Sequence, residues 1–270
     1  MEDFILWLKY VLLGIVQGAT EPIPVSSSGH LIIVQRLLSM EQNGLSFEIL
    51  TNTASLIAIM FIFREDIKKL IVGGWRFLVS RNAEYKADFM FCLYIIIGTL
   101  PAAIGAVLFK DKIEEIFTSV YTVAISLLIT GVALWLIRNL RGRKRDGDLS
   151  AKDAVLVGLA QAVALIPGIS RSGATVIASI AVGMKQETAL KFSFMLYIPI
   201  SIGGVILGAS DIVTDPHRAQ LAVPYILAFI TTLIVTYFSM RWFMGIMARG
   251  NLIYFSYYCF IVGILLLIFL

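Results

Sequence analysis

The chain has 270 residues, of which 59% are of the types AVILMFWYC and 15% are charged, with a formal net charge of +4. An ordinary soluble domain is about 45–50% apolar and about 25% charged. A mean hydropathy of +0.87 therefore excludes a disordered chain, a coiled coil, a nucleic-acid-binding domain and a secreted disulfide scaffold. The apolar residues come in blocks of ~20, the length that crosses a bilayer core of ~30 Å. The expected fold class is an all-α polytopic membrane protein.

In chain order, the first apolar stretch, Phe4–Leu38, is broken near its middle by PIPVSSSGH. Glu2 and Asp3 precede it where a signal peptide would carry basic residues, so no removable leader is expected. Spanning helices are predicted at Leu45–Phe63, Asp88–Phe109 and Val120–Ile137. A second broken stretch, Ala151–Val182, carries PGISRSGAT. Spans follow at Thr188–Gly208, Leu221–Met240 and Leu252–Leu270. Hydrocarbon satisfies neither freed backbone groups nor a buried Arg, so both breaks must line a protein cavity. Each reads as a re-entrant pair of half-helices, with or without an adjoining helix. Cys92 and Cys259 fall inside apolar segments, where packing is their expected role, and no zinc spacing exists.

Loop charge sets the expected orientation. Arg64–Lys86 carries six Lys/Arg against three acids, Arg138–Lys152 six against two, and Arg241–Arg249 two against none. Lys110–Glu115 carries two against three and Ser210–Arg218 one against two. The basic loops belong on the cytoplasmic side. Tracing from them, the first broken stretch enters and leaves from outside, and the second from the cytoplasm.

The two breaks also match in sequence. At an offset of 144 residues Gly14, Gln17, Ser26, Ser28, Gly29 and Ile33 meet Gly158, Gln161, Ser170, Ser172, Gly173 and Ile177, and at 145 Phe47 and Asp66 meet Phe192 and Asp211. Opposite orientation with matching sequence is the mark of an inverted repeat, with its binding site at the repeat interface. The expected halves are residues 1–137, with re-entrant region 4–38, and residues 151–270, with re-entrant region 151–182. A cytoplasmic basic loop, 138–150, joins them.

Gln17 and Glu21 stand four apart and share a helix face. Beyond Pro22 and Pro24 follow Ser26, Ser27, Ser28, Gly29 and His30. The serines suit capping of a second half-helix, whose N–H groups attract anions. Glu21 and His30 are ionisable at membrane depth, which is costly and usually functional. In the second break Ser170, Ser172 and Thr175 offer hydroxyls and Gly173 permits close approach. Arg171, the counterpart of Ser27, offers a planar fork for phosphate oxygens. A carboxylate, an imidazole, a hydroxyl and a guanidinium around one anion pocket suit phosphoryl transfer or hydrolysis. Spacing alone also admits an anion transporter.

GIVQGATEPIPVSSSGH and PGISRSGAT resemble the two signature regions of the undecaprenyl-diphosphate phosphatase family, the BacA-type bacitracin-resistance proteins. Motif order, length and hydropathy agree over essentially the whole chain. Gln17 stands where many members carry glutamate, which weakens a metal or proton role there. The resemblance implies a multi-pass enzyme of the bacterial inner membrane that hydrolyses undecaprenyl diphosphate to the monophosphate and phosphate. That activity recycles the cell-wall lipid carrier and confers bacitracin resistance, with Mg2+ or Ca2+ as helper. On this reading Ser27 attacks phosphorus, Glu21 is base or metal ligand, and His30 is acid/base or orients the hydroxyl. Arg171 holds the phosphate, helped by Ser170, Ser172, Gly173 and Thr175, with Gln17, Ser26 and Ser28 as further binding groups. Attack by metal-bound water is the alternative. Glu48 is a second carboxylate for a cation, or merely a helix-start acid. His217 is given no role. The partners expected are a polyprenyl diphosphate and the bilayer, with no nucleic acid, and homo-oligomerisation is left open. The rival function is a polyprenyl-phosphate transporter or flippase using the same pocket. The active site is expected to face outside the cytoplasm.

Overall fold

The structure is a computed structural model; it describes residues 2–40, 45–116, 120–166, 168–214 and 221–269. Among these residues the regular structure is helical, as α1 Glu2–Thr20, α2 Ser27–Leu37, α3 Leu45–Ile62, α4 Arg64–Ser80, α5 Lys86–Ile116, α6 Val120–Ile137, α7 Ala151–Val163, α8 Arg171–Ala181, α9 Gln186–Thr214, α10 Ala222–Arg249 and α11 Ile253–Phe269. Five helices are long and apolar enough to cross a membrane, or six if the bent pair α3–α4 counts as one span. Ile96, Ile104, Val107 and Leu108 of α5 and Ile261, Ile264 and Ile268 of α11 are exposed. A lipid-facing helix turns such side chains outward without cost, because the bilayer is its solvent.

The reading of the chain as an all-α polytopic protein holds, with two differences. The basic stretch taken as a loop, Arg64–Lys86, contains α4, turned 72° from α3. Ile67, Leu70, Ile71, Trp75 and Leu78 recur at the helical spacing of three and four, among Lys68, Lys69 and Arg76. Such a helix lies along an interface rather than across it. The two broken regions also differ in length: α1 runs for 19 residues, enough to cross a membrane, whereas α7 runs for 13.

Helix pairing exposes the repeat. α1 packs on α10 and α7 on α5; α3 packs on α10 and α9 on α5; α6 pairs with α11, and α3 with α9. Exchanging α1 with α7, α3 with α9, α5 with α10 and α6 with α11 reproduces the set. Both outer pairs are parallel. Thr232 donates to the Gly14 carbonyl and Ser239 to the Ala19 carbonyl, so α1 and α10 advance together. Gly98 meets Gly158, and Gly105 meets Leu165, along α5 and α7. The offset-matched glycines hold the same job in each pair. A Cβ at Gly14 would stand 2.6 Å from the Ala228 carbonyl oxygen, and one at Gly158 would collide with the Gly98 carbonyl oxygen. Small residues at such crossings let membrane helices approach backbone to backbone.

The linker 138–150 is fastened rather than free. Arg143 and Lys144 N–H groups donate to the Gly183 carbonyl at 2.9 Å, and Lys185 N–H to the Lys144 carbonyl at 2.9 Å. Lys191 of α9 sits between Asp66 of α4 at 2.7 Å and Asp146 of the linker at 2.9 Å. One cation thus ties both halves and the linker together.

Candidate active site

Both breaks are built by the same cap. α1 ends where Pro22 and Pro24 remove backbone donors, and α2 restarts with Ser26 Oγ accepting from Gly29 N–H at 3.2 Å. α8 restarts with Ser170 Oγ accepting from Gly173 N–H at 3.0 Å. The caps differ in backbone. Ser170 is relaxed at φ −66°, whereas Ser26 sits at φ 67°, a left-handed conformation that costs a non-glycine residue about 1–3 kcal/mol. Strain of this kind concentrates at functional sites, and here it falls immediately before Ser27.

Ser27 Oγ donates to Glu21 Oε2 at 2.5 Å, and Gln17 Nε2 donates to the same oxygen at 3.0 Å. The shared helix face predicted for Gln17 and Glu21 therefore holds the carboxylate against the hydroxyl. His30 points elsewhere. Its Nδ1 lies 2.7 Å from the Ser26 carbonyl, and its Nε2 lies 2.6 Å from the Tyr258 hydroxyl. A carbonyl only accepts, so Nδ1 carries a proton, and Nε2 of the neutral ring accepts from Tyr258. Both ring nitrogens are thus engaged by Ser26 and Tyr258 rather than by Ser27.

The second break meets the first through Ser172, whose hydroxyl lies 3.2 Å from the Glu21 carbonyl and 3.1 Å from that of Ile23. Thr175 bonds back to the Arg171 and Ser172 carbonyls, and Ser28 approaches Ser26 at 3.5 Å. These hydroxyls shape the two turns. Arg171 donates to Ser201 at 3.1 Å, and its guanidinium lies 5.4 Å from the centre of the Tyr197 ring. A cavity of about 10 Å³ beside it is bounded by Arg171, Ser172, Thr175, Ser193, Phe194 and Tyr197.

α3 and α9 close the site. Tyr197 donates to Asn52 Oδ1 at 2.8 Å and stands within reach of the Glu21 carboxylate and the Ser201 hydroxyl. Glu48, one turn before Asn52, is close enough to Glu21 for their charges to interact. Of the sequence-derived residues, Glu21 and Arg171 thus flank Tyr197, while Gln17, Ser27 and Glu48 join the group through Glu21. Tyr197, Asn52, Ser201 and Tyr258 were not singled out from sequence. Asn52 and Tyr197 fall at the 145-residue offset, but as unlike residues they leave no match there, and Tyr258 carries no signal either. His217 lies outside the described residues.

Among the described residues no group of three or more His, Cys, Asp and Glu could hold a metal ion. Glu21 and Glu48 nevertheless bring two carboxylates near enough for their charges to interact. Mg2+ takes one or two carboxylates and completes its shell with substrate phosphate and water. The donor set fits a hard divalent cation that arrives with a phosphorylated ligand.

Fold and site together define a polytopic α-helical membrane protein with a hydroxyl–carboxylate pair and a guanidinium at the meeting of two helix breaks. The chain belongs to the family described as bacitracin resistance protein BacA, whose model matches residues 10–265. It is 59% identical over 270 residues to undecaprenyl-diphosphatase 2 of Bacillus thuringiensis strain Al Hakam, covering 100% of both chains. It is 56% identical over 271 residues to undecaprenyl-diphosphatase of Oceanobacillus iheyensis, covering 100% of this chain and 98% of the relative. To undecaprenyl-diphosphatase 1 of Bacillus licheniformis it is 55% identical over 268 residues, covering 99% of each.

Proposed function

We propose that the protein hydrolyses undecaprenyl diphosphate to undecaprenyl phosphate and inorganic phosphate, which recycles the cell-wall lipid carrier and confers resistance to bacitracin. The observation that carries this reading is the Ser27–Glu21 hydrogen bond within reach of the Arg171 region. A passive headgroup site in a transporter has no need of a hydroxyl held on a carboxylate. The names of the full-length relatives support the same substrate.

Ser27 Oγ attacks the terminal phosphorus and passes its proton to Glu21 as the Oγ–P bond forms. The phosphoanhydride bond breaks and undecaprenyl phosphate leaves, taking that proton from Glu21. Water then attacks the phosphoseryl phosphorus and gives its proton to Glu21, which returns it to Ser27 Oγ as the phosphoseryl bond breaks and phosphate leaves. Gln17 holds Glu21 in register, and Arg171 neutralises the phosphate oxygens as a two-toothed fork. Glu48, with Glu21 beside it, would hold Mg2+ or Ca2+. When bound, the cation supplies neutralisation of phosphate charge. Phosphate release by the purified protein from undecaprenyl diphosphate, with and without chelator, tests the reading. Absence of release in the presence of Mg2+ and Ca2+ would overturn it.

The site is proposed to open outside the cytoplasm, in the inner membrane of a bacterium. The basic residues before α5 and at the end of α10 support a cytoplasmic position for the start of α5 and the end of α10. Since α1 runs parallel to α10 and α7 to α5, the two broken regions run in opposite directions across the bilayer. This supports halves at residues 1–137 and 151–270. In a chain lacking Cys92 and Cys259, Ser39→Cys should label from outside and Gly147→Cys from the cytoplasm. Labelling of both from one side would end the inverted arrangement.

A further inference from the structure

We propose that Tyr258 is a positioning residue for the phosphatase reaction, acting through His30 on the backbone of Ser26. The inference rests on the proposed reading of Ser27 as nucleophile, and it gives His30 a different part from proton transfer. Ser26 lies in the left-handed region at φ 67°, ψ 96°, and its carbonyl is held by the His30 imidazole at 2.7 Å and the His30 N–H at 3.2 Å. His30 is itself pinned at its far nitrogen by the Tyr258 hydroxyl at 2.6 Å, with the two rings stacked 5.6 Å apart at 15°. The chain of bonds therefore runs from α11 through the imidazole to the carbonyl one residue before the nucleophile. It ends in the 2.5 Å bond from Ser27 to Glu21.

The second repeat supplies the comparison. At the 144-residue offset His30 meets Ala174, Ser26 meets Ser170 and Ser27 meets Arg171. Ser170 caps its helix just as Ser26 does, yet it does so at φ −66°, ψ 119° with no imidazole on its carbonyl. A serine cap thus needs neither strain nor a histidine. The strained conformation goes with the half that carries the hydroxyl, and the His30–Tyr258 pair goes with the strain. Both ring nitrogens are committed to these partners, which suits a clamp and leaves His30 no direct bond to Ser27.

The test is made on the full-length protein purified in detergent. Tyr258→Phe keeps the ring stack and removes the hydroxyl; turnover should fall about 10- to 100-fold, as expected for a small misplacement of a reacting group. KM and the pH profile should be unchanged. Ser26→Gly adopts positive φ without strain, so combining it with His30→Ala should recover at least about tenfold of the turnover lost in His30→Ala alone. No recovery, together with a pH profile that loses a limb in His30→Ala, would show His30 to be a proton carrier and overturn the clamp. The chain has two histidines, so ring ¹⁵N resonances report the pairing without any assay. Nδ1 of His30 should be protonated and Nε2 bare near neutral pH, with the Nε2 signal moving in Tyr258→Phe. A proton on Nε2 would also overturn the clamp. If wild-type protein releases no phosphate, the functional reading fails, while the resonances still decide the clamp.

Discussion

Tyr197 donates a 2.8 Å hydrogen bond to Asn52, and these two residues are counterparts of one another at the 145-residue offset. In a two-fold arrangement, only residues on or beside the axis touch their own counterparts, so the axis passes between them. Glu21, Ser201 and Arg171 surround the same tyrosine. The site therefore lies on the axis of a symmetric frame, while its chemistry is one-sided: Glu21 is matched by Leu165, Ser27 by Arg171 and His30 by Ala174. Gln161, the counterpart of Gln17, is buried with no hydrogen-bond partner for its amide among the described residues. The frame has kept the glutamine where the carboxylate is missing.

Ser27 and Glu21 should behave as one unit. Ser27→Ala and Glu21→Gln are each expected to lower kcat by about 10²–10⁴-fold, and the double variant should be little worse than the worse single. Rates of phosphate release settle the matter. Losses that multiply would separate the two residues and rule out the pair.

Arg171 is expected to need its planar fork and not only its charge. Arg171→Lys should lower kcat/KM at least about tenfold, or ~1.4 kcal/mol. A folded lysine variant with near-wild-type turnover contradicts bidentate binding.

The paired glycines should cost alike. Gly14→Ala and Gly158→Ala each drive a Cβ into a facing backbone oxygen, an overpacking penalty of about 1–3 kcal/mol. Both should melt earlier in detergent, by similar amounts. Gly203→Ala, where a Cβ meets open space, is the control and should melt no lower than wild type. Unequal losses would show that the two helix pairs are not equivalent.

Asp153 gives a pH signature outside the membrane-spanning helices. Burial favours its neutral form, but the hydrogen bonds from Lys144 and Ser150 outweigh burial and hold the carboxyl below its ordinary range. Its pairing with Lys144 at 2.7 Å and with the Ser150 cap therefore stabilises the fold at all pH above the usual ~3.9 of Asp. That stabilisation is lost only as pH falls through the lower native value. Asp153→Asn should cost about 0.5–2 kcal/mol at pH 7, seen as a lower melting temperature, and the gap to wild type should narrow in acid. A gap that widens in acid would contradict the assignment.

What sequence could and could not show follows from the range of the forces involved. The breaks were legible because Pro22, Pro24 and the capping serines act on their own neighbours. The repeat was legible because each half keeps the same local grammar, and α6 was found at Val120–Ile137 because nothing interrupts it. α4 was hidden inside a charge count: Arg64–Lys86 was weighed as a loop, although its apolar residues already carried helical spacing. Tyr258 was hidden for a different reason. Its bond to His30 spans 228 residues of chain, and a tyrosine in an apolar helix looks the same with or without such a partner.

The parallel packing of α1 on α10 bears on how the molecule is made. Synthesis delivers α1 first, but the backbone groove that receives Gly14 and Gly18 is formed by Ala228, Thr232 and Thr236, among the last residues to leave the ribosome. Until then the first helix must wait in the membrane without its partner, since α10 has yet to arrive. A chain interrupted before α10 can insert most of its helices and still have no site. The candidate site residues nearest the start of the gene are thus set in place by helices encoded near the end of it.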